Sequence, residues 1–192
     1  MEKCVQIVCQ GNAAKITIET PRFSLIPATA ELVGLEITGK EALAKALAAE
    51  VPADWPPEEA ADALPWFLSQ LRSDASLSGW LNWYGLYRED ARLRPQLVGS
   101  AGFFGPPEDG SVEIGYSILP LFQGRGFATE MLEGLVSWAL SHPAVRYVVA
   151  ETNSENHASL RVLCKLGFTP VGAGREEGYL RFERKPTEKR MP

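Results

Sequence analysis

Two hydrophobic patterns of different period meet within residues 111–140 of this 192-residue chain. Over the first part, apolar side chains alternate with polar or small ones, which is the pattern of a strand with one buried face. The apolar positions are Val112, Ile114, Tyr116 and Ile118, and the other face carries Glu113, Gly115 and Ser117. From residue 128 onwards, the apolar residues recur with the helical period of about 3.6. These patterns predict a strand, a short loop and a helix in succession.

The rest of the chain alternates between shorter strand-like and helix-like segments. Strands are predicted for residues 15–20, 23–26, 80–88, 97–104, 147–150, 168–171 and 179–183. Helices are predicted for residues 29–35, 40–50 and 156–166, and for a region over 57–71 that Pro65 either interrupts or restarts. Thr29 is the predicted cap of the first helix, and Asn153 or Ser154 that of the last, which Gly167 closes. The length predicts one domain over residues 1–192, with 1–14 as a loose arm or an extra edge strand and 185–192 as a frayed tail.

The loop before the long helix has the features of an anion site. The first N–H groups of a helix lack partners, and the helix dipole makes this end partly positive. Gly124 and Gly126 leave the backbone open to a phosphate, and Arg125 adds a positive charge. A glycine-rich turn that only joins a strand to a helix would have the same sequence.

Two well-known phosphate motifs do not fit this loop. The P-loop pattern requires a Gly-Lys-Ser/Thr ending, and no lysine follows either glycine. The dinucleotide fingerprint needs a third small residue where Thr129 stands, and too little chain follows to build its sheet. Glu151 lies near the place of that motif's ribose-binding acid, so this reading is set aside rather than excluded.

A third pattern matches in two places. The run from Gln123 through Gly126 to Ala128, between a strand and a helix, resembles the coenzyme-A-binding motif of the GNAT superfamily of acyl-CoA-dependent N-acyltransferases. Residues 156–168, from Asn156 to the closing Gly167-Phe168, resemble that family's next helix with the family's own spacing. Residues 20–25 more weakly resemble the first strand of the branch that acetylates ribosomal-protein N-termini. The resemblance covers residues 20–184.

The resemblance implies an α/β (α+β) fold with a mixed, mostly antiparallel sheet and helices on both faces. Two neighbouring parallel strands, residues 111–118 and 147–151, would splay apart and hold acetyl-CoA as co-substrate. The residues implied in binding it are Ile118, Leu119, Gln123, Gly124, Arg125, Gly126, Phe127, Ala128, Thr129, Asn156 and Ser159. Asn156 would bond the pantetheine arm, unless it serves only as a helix cap.

The resemblance also suggests proton-transfer groups. Many members carry a glutamate on the central strand that relays the proton of the amine, which makes Glu113 the candidate base. Glu151 is a second candidate, and a solvated glutamate on an exposed face is the plain alternative for Glu113. Leu163 stands where many members have a tyrosine that protonates the leaving thiolate. That acid is therefore missing or supplied elsewhere, for example by Tyr116 or Tyr179.

The composition limits the classes of partner that the chain is expected to bind. The chain has 19 basic and 24 acidic side chains and no basic cluster, which argues against nucleic acid. No apolar run is long enough to span a membrane, and the N-terminus lacks a signal-peptide pattern. Three cysteines without a pairing pattern predict a cytoplasmic protein, and two distant histidines predict no metal site.

The expected function is N-acetylation of a primary amine, either a protein N-terminus or a small molecule, by direct attack on the thioester. A non-catalytic acyl-CoA-binding module is the alternative, and monomer and homodimer both remain open. Four tryptophans, Trp55, Trp66, Trp80 and Trp83, lie in the region that encloses the acceptor in this family. We expect them to belong to the core more often than to an acceptor pocket.

Overall fold

The computed structural model describes residues 6–10, 15–90 and 92–186, which form one sheet of nine strands flanked by helices. The strands are β1 (Gln6–Gln10), β2 (Lys15–Glu19), β3 (Phe23–Pro27), β4 (Asn82–Tyr87), β5 (Gln96–Phe103), β6 (Ser111–Ile118), β7 (Tyr147–Asn153), β8 (Thr169–Ala173) and β9 (Tyr179–Arg184). The helices are α1 (Ala30–Thr38), α2 (Lys40–Leu47), α3 (Glu58–Ala61), α4 (Leu64–Ser73), α5 (Phe127–Leu140) and α6 (His157–Lys165). None of these helices is long and apolar enough to cross a membrane.

The sheet is antiparallel except at one pair of neighbours. Its order is β1-β2-β3-β4-β5-β6-β7-β9-β8, and among these strands only β6 and β7 run parallel. Hairpin turns can join antiparallel neighbours, whereas a parallel pair needs a crossover, which α5 supplies here. The predicted mixed, mostly antiparallel sheet is confirmed.

Helices cover both faces of the sheet. On β4, the indole of Trp83 packs edge-on against Trp138 of α5, with 5.3 Å between ring centroids. Its neighbour Tyr84 points to the other face, where its hydroxyl donates a 2.6 Å hydrogen bond to Glu36 of α1. Successive side chains of a strand point to opposite faces, so α1 and α5 lie on opposite sides. The predicted placement of helices on both faces is also confirmed.

The predicted alternation of β6 and the apolar stripe of α5 are both found. Val112, Ile114 and Ile118 of β6 are buried, and Tyr116 on the same face is half-buried. On α5 the buried side chains include Met131, Leu132, Leu135, Val136 and Ala139. The period-2 and period-3.6 faces therefore meet in one core beneath the sheet.

Three predictions about segment ends have clear outcomes. Thr29 caps α1, since its side chain accepts a hydrogen bond from the Leu32 N–H, and Gly167 follows α6 with a left-handed φ of 74°. The prediction that Asn153 or Ser154 caps α6 is wrong. Asn156 is the cap and its Oδ1 accepts the Ser159 N–H at 3.0 Å, while Asn153 bonds the N–H of Glu155 in the preceding turn.

The structure decides between the alternatives for the N-terminal segment and for the helical region around Pro65. Of the two alternatives for residues 1–14, the extra edge strand is the one found for Gln6–Gln10, which pairs with β2. The remaining residues of that arm, and residues 187–192 of the predicted frayed tail, lie outside the described part. Pro65 restarts a helix, because it occupies the first turn of α4, where its missing N–H has no intrahelical partner to lose.

A buried carboxyl group ties α1 to the sheet. Glu36 has 7% of its surface exposed, and its two oxygens accept hydrogen bonds from Trp55 Nε1 at 2.7 Å and from the Tyr84 hydroxyl at 2.6 Å. Both of these hydrogen-bond donors are uncharged. Burial raises the pKa of Glu36 above its ordinary value, and the two hydrogen bonds offset only part of that effect.

We expect Glu36→Gln to make stability less dependent on pH. Because the pKa of Glu36 is raised in the folded state, its contribution to stability is present below the unfolded pKa of about 4.3 and is lost as pH rises through the folded pKa. The glutamine amide still offers an oxygen to Trp55 and does not titrate. The free energy of unfolding of the wild type should therefore fall relative to that of the variant between about pH 4 and pH 8. The fall should be about 1.4 kcal/mol for each unit by which the pKa of Glu36 in the folded state exceeds its value in the unfolded state.

Urea unfolding of both proteins across this pH range measures the difference. Glu31→Gln is the control, because Glu31 is exposed on the same helix. A difference between wild type and Glu36→Gln that stays constant with pH would contradict the expected effect of burial.

Candidate active site

A cleft opens where β6 and β7 part. The parallel pairing joins Ser111–Glu113 to Tyr147–Val149 and stops there, although β6 continues to Ile118 and β7 to Asn153. Between the two strands and α6 lies a cavity of about 1140 Å³. The predicted splaying of this strand pair is therefore present. Gly115 and Ser117 line the cavity, so small side chains keep this part of β6 open, as the sequence predicts.

The strand edge facing this cavity carries free peptide groups. The backbone carbonyl of Glu113 accepts a hydrogen bond from the N–H of Phe104, which directly follows β5. The Leu119 N–H donates to the Val98 carbonyl of β5 at 2.9 Å. The peptide groups of a strand alternate in direction, so those of residues 113, 115, 117 and 119 point to β5. Those of Tyr116 and Ile118 point into the gap. Ile118 thus stands where the sequence predicts, whereas the Leu119 N–H is already bonded. The peptide groups of Tyr116, which face the gap, were not among the predicted binding groups.

The predicted phosphate loop lies at one end of the cavity. Gly124 and Gly126 have φ values of 73° and 76°, a conformation that glycine adopts without steric cost. Gly126 precedes α5, and among the described residues no side chain caps this helix. Gln123, Gly124, Gly126, Phe127, Ala128 and Thr129 all line the cavity. The loop therefore presents uncapped N–H groups of a fourteen-residue helix to open space.

Two side chains of this loop differ from the sequence expectation. Arg125 does not line the cavity but lies over the rings of Phe127 and Tyr87, at 4.6 and 5.2 Å from the centroids. Its charge thus lies over these two rings, and its predicted contribution to the phosphate site stays a prediction. The Gln123 amide donates to the Ile118 carbonyl at 2.9 Å, so this side chain fastens the loop to the end of β6.

Helix α6 forms the second wall of the cavity. Asn156 and Ser159 line it, as predicted, although the Asn156 Oδ1 already caps the helix. The Ser159 hydroxyl accepts a 2.9 Å hydrogen bond from the hydroxyl of Tyr116 on β6. Leu163, one turn further along, also lines the cavity and is buried. The two predicted α6 residues are thus brought beside the β6 edge, with the side chain of Asn156 serving at least as a cap.

The candidate base Glu113 belongs to a cluster of opposite charges. Its carboxylate pairs with the Arg175 guanidinium, which comes from the turn between β8 and β9. Arg175 also donates its backbone N–H to Glu151 at 2.9 Å, and Arg181 of β9 bonds the other oxygen of Glu151 at 2.9 Å. Glu151 lines the cavity, whereas Glu113 lies beside it. Arg175 and Arg181 have no periodic or motif signal in the sequence, which is why both were missed.

The two carboxylates differ in their tendency to bind a proton. The Glu113 side chain is 18% exposed, and burial raises its pKa, against the opposing effect of Arg175 and with help from the nearby negative charge of Glu151. Burial also acts to raise the pKa of Glu151, but the hydrogen bonds from Arg175 and Arg181 outweigh it and hold that pKa below its usual value. Glu113 is therefore the better proton acceptor of the pair.

The described residues offer the kinds of hydrogen-bonding group that acetyl-CoA needs. An elongated thioester arm needs hydrogen-bonding groups along its length, which Tyr116 and Ile118 offer at the parted edge of β6. A pyrophosphate needs N–H donors without obstructing side chains, which the loop before α5 offers. The Cβ that a side chain at Gly124 would add meets no atom within 4 Å, so the space above the loop is open.

Comparisons with known proteins agree with this geometry. The sequence profile of the acetyltransferase (GNAT) domain matches residues 22–169. A Bacillus subtilis protein named as an uncharacterized N-acetyltransferase is 28% identical over 154 residues, which cover 80% of this chain and 89% of the relative.

Solved structures show the same fold. A GNAT-family acetyltransferase of Bordetella pertussis has a TM-score of 0.62 at 22% identity, covering 88% of this chain and 98% of that one. A ribosomal L7/L12 α-N-protein acetyltransferase in complex with coenzyme A has a TM-score of 0.56 at 19% identity, covering 86% of this chain and 94% of the other.

We expect Gly126→Val to abolish most binding of coenzyme A. The side chain would stand where an anion must approach the helix N-terminus, and we expect the affinity to fall by roughly 100-fold or more, about 2.7 kcal/mol. The left-handed conformation at this position also adds strain of about 1–2 kcal/mol for any residue with a Cβ. Calorimetric titration of the folded variant with coenzyme A measures the loss.

Gly167→Val separates strain from obstruction. Gly167 has nearly the same φ, 74°, has open space around its Cβ position, and does not line the cavity. This control should lose similar stability and keep its affinity for coenzyme A. Unchanged affinity in Gly126→Val, or equal losses in both variants, would mean that the loop is only a turn.

Proposed function

Because the chain belongs to the GNAT family of acetyltransferases, we propose that it transfers an acetyl group from acetyl-CoA to a primary amine. The observation that carries this proposal is the parting of β6 and β7 beside the uncapped N-terminus of α5. The thioester, when bound, supplies an acetyl group activated for attack by an amine. Residues 1–192 are proposed to form one domain. The three cysteines, which have no pairing pattern, make the cytoplasm the proposed location.

The residues proposed to hold acetyl-CoA fall into three groups. The backbone of the loop from Gln123 to Thr129 would take the pyrophosphate, since its N–H groups face the cavity and α5 has no side-chain cap. The peptide groups at Ile118, and at Tyr116 in place of Leu119, would bond the pantetheine arm. Asn156 and Ser159 would contact that arm from α6, the former through the amide nitrogen that capping leaves free.

Glu113 is the proposed general base. Its partly buried position raises its pKa, and a base is most effective when its pKa lies close to the working pH. The Arg175 guanidinium bonds one oxygen of the Glu113 carboxylate, and the second oxygen would take the proton of the amine. Glu151 keeps two cationic partners and would mainly orient Arg175.

An α-amine is the proposed acceptor. A free α-amine has a pKa of about 7.7–8.0, so about a tenth is already neutral at pH 7, whereas a lysine amine near 10.4 is almost wholly charged. A lysine-type acceptor would thus require about 3.5 kcal/mol more from desolvation or from the base. With its base tied to Arg175, this site favours the more acidic amine. A protein N-terminus is the first candidate, and a small α-amine is the second.

Release of coenzyme A from acetyl-CoA across a panel of amines tests the proposed reaction. We expect thiol release with peptides that carry free N-termini or with small α-amines, and none with their acetylated counterparts. Calorimetry with coenzyme A should be run on the same preparation. Binding without thiol release for any amine would instead describe a non-catalytic acyl-CoA-binding module.

Glu113→Gln should lower turnover by on the order of 10²-fold or less, which is the low end for a positioned base. The residual rate should rise with pH to about 8 and then level off as the free α-amine becomes neutral. Rates of wild type and variant across pH 6–10, with matched α-amine and lysine-type substrates, measure both effects.

Glu151→Gln is the competing variant in the same series. If Glu113 is the base, Glu151→Gln should lose less turnover than Glu113→Gln. A larger loss in Glu151→Gln would move the base to that residue. A preference for the lysine-type amine, or a Glu113→Gln rate still climbing at pH 9, would overturn the α-amine assignment.

A further inference from the structure

The acetyl transfer requires a proton for the departing sulfur. The amine nitrogen forms a bond to the acetyl carbon, the carbon–sulfur bond breaks, and the electron pair stays on the sulfur of coenzyme A. The proton of the amine goes to a base, and the thiolate takes a proton or a hydrogen bond from an acid. The source of this second proton is a question only if the proposed function holds.

Few side chains that line the cavity can supply a proton to the departing sulfur. The titratable side chains lining the cavity, among the residues that the structure describes, are Tyr116, Glu151, Arg161, Lys165 and Tyr179. Glu151 is held as a carboxylate by two arginines, and an arginine does not give up its proton in proteins. Lys165 is exposed at the far end of α6, where it also borders a second, smaller cavity beyond the loop. The two tyrosines remain.

Their places relative to the gap distinguish the two tyrosines. Tyr116 lies on β6, three residues past the last parallel pair, on the strand that bounds the gap. Tyr179 begins β9 and pairs with Asn153, so it lies on the outer side of β7. The peptide groups of Tyr116 point into the gap, so an arm bonded there passes beside this residue. Tyr116 is therefore the tyrosine next to the expected path of the thioester.

The Tyr116 hydroxyl is already fixed by a partner across the cavity wall. It donates to the Ser159 hydroxyl at 2.9 Å, and the backbone N–H of Ser159 is in turn held by the Asn156 cap. Leu163 lies one turn beyond Ser159 on the same face of α6, so the hydroxyl of Tyr116 reaches a helix face that carries no acid of its own. Burial raises the pKa of Tyr116, against the opposing effect of Ser159, and keeps the phenol protonated at neutral pH.

We propose that Tyr116 is the general acid of this acetyltransferase and that Ser159 is the residue that positions it. The phenol O–H turns from Ser159 to the departing sulfur and donates its proton there. The tyrosinate that forms is then reprotonated from water. The role of Ser159 is to hold the hydroxyl at the α6 wall before the thiolate forms.

Conservative variants test this assignment. Tyr116→Phe keeps the ring and should lower kcat by on the order of 10²-fold, with the KM for acetyl-CoA changed by less than about 3-fold. Ser159→Ala should lower kcat by about 10-fold or less, because it removes only the orienting partner. Tyr179→Phe, the matched control on the same cavity, should change kcat by less than about 3-fold.

A fluorinated tyrosine at position 116 supplies a readout that packing alone would not move. Fluorination makes the phenol more acidic and keeps the ring and the hydroxyl, so it also serves if Tyr116→Phe fails to fold. We expect the fall of kcat at high pH to move to lower pH in this variant. An unchanged pH profile, or wild-type turnover in Tyr116→Phe, would overturn the assignment.

The proposed function fails in a different way from this inference. If the wild type releases no coenzyme A with any amine, the proposed acetyl transfer is wrong, and Tyr116 has no step to assist. If the wild type and Tyr179→Phe are active and Tyr116→Phe is equally active, only the general acid is wrong. If Tyr179→Phe lowers kcat and Tyr116→Phe does not, the general acid is Tyr179 of β9.

Discussion

The parting of β6 from β7 after Glu113 and Val149 is the constraint on which the whole site depends. Two paired strands would satisfy each other's peptide groups and leave no room for a ligand. Once they separate, the N–H and C=O groups along β6 need other partners, because a buried unpaired peptide group costs about as much as a lost hydrogen bond. The structure satisfies one of them internally, the Ile118 carbonyl, through the side chain of Gln123. The others face an open cavity and are available to an incoming arm.

The loop at the end of the gap is held in place from the opposite side of α5. Glu130, in the first turn of α5, accepts hydrogen bonds from the Thr20 hydroxyl at 2.7 Å and from the backbone N–H and Nε of Arg22. Arg22 also donates to the Arg125 carbonyl at 3.2 Å. These bonds outweigh the effect of burial and hold the pKa of Glu130 below its usual value. The turn between β2 and β3 thereby fixes the loop through the backbone and side chain of Arg22, whose guanidinium lies 3.7 Å from the Cβ position of Gly126.

Features with a local signal could be predicted from the sequence, and features without one could not. The change of period from two to 3.6 locates β6 and α5, and the glycines locate the loop between them. The direction of Arg125 has no such signal, because it depends on Tyr87, which lies 38 residues earlier in the chain. The pairing of Glu113 with Arg175 spans 62 residues and joins a strand to a turn. Such contacts follow from the arrangement of the sheet, which periodicity does not specify.

The pleat of β6 places the proposed base and the proposed acid on different sides of the sheet. Tyr116 shares a face with Ile114 and Ile118 and reaches α6, whereas Glu113 lies on the other face with Arg175. An acceptor amine that delivers its proton to Glu113 would therefore approach from one side of the strand, and the thiolate would receive its proton on the other. This separation suits direct transfer, because the nucleophile and the leaving group occupy different positions around one acetyl carbon. A covalent intermediate on cysteine would need a thiol in the cavity, and Cys164 is not among the described residues that line it. The two faces of β6 thus suit the direct attack of the amine on the thioester that the proposed function contains.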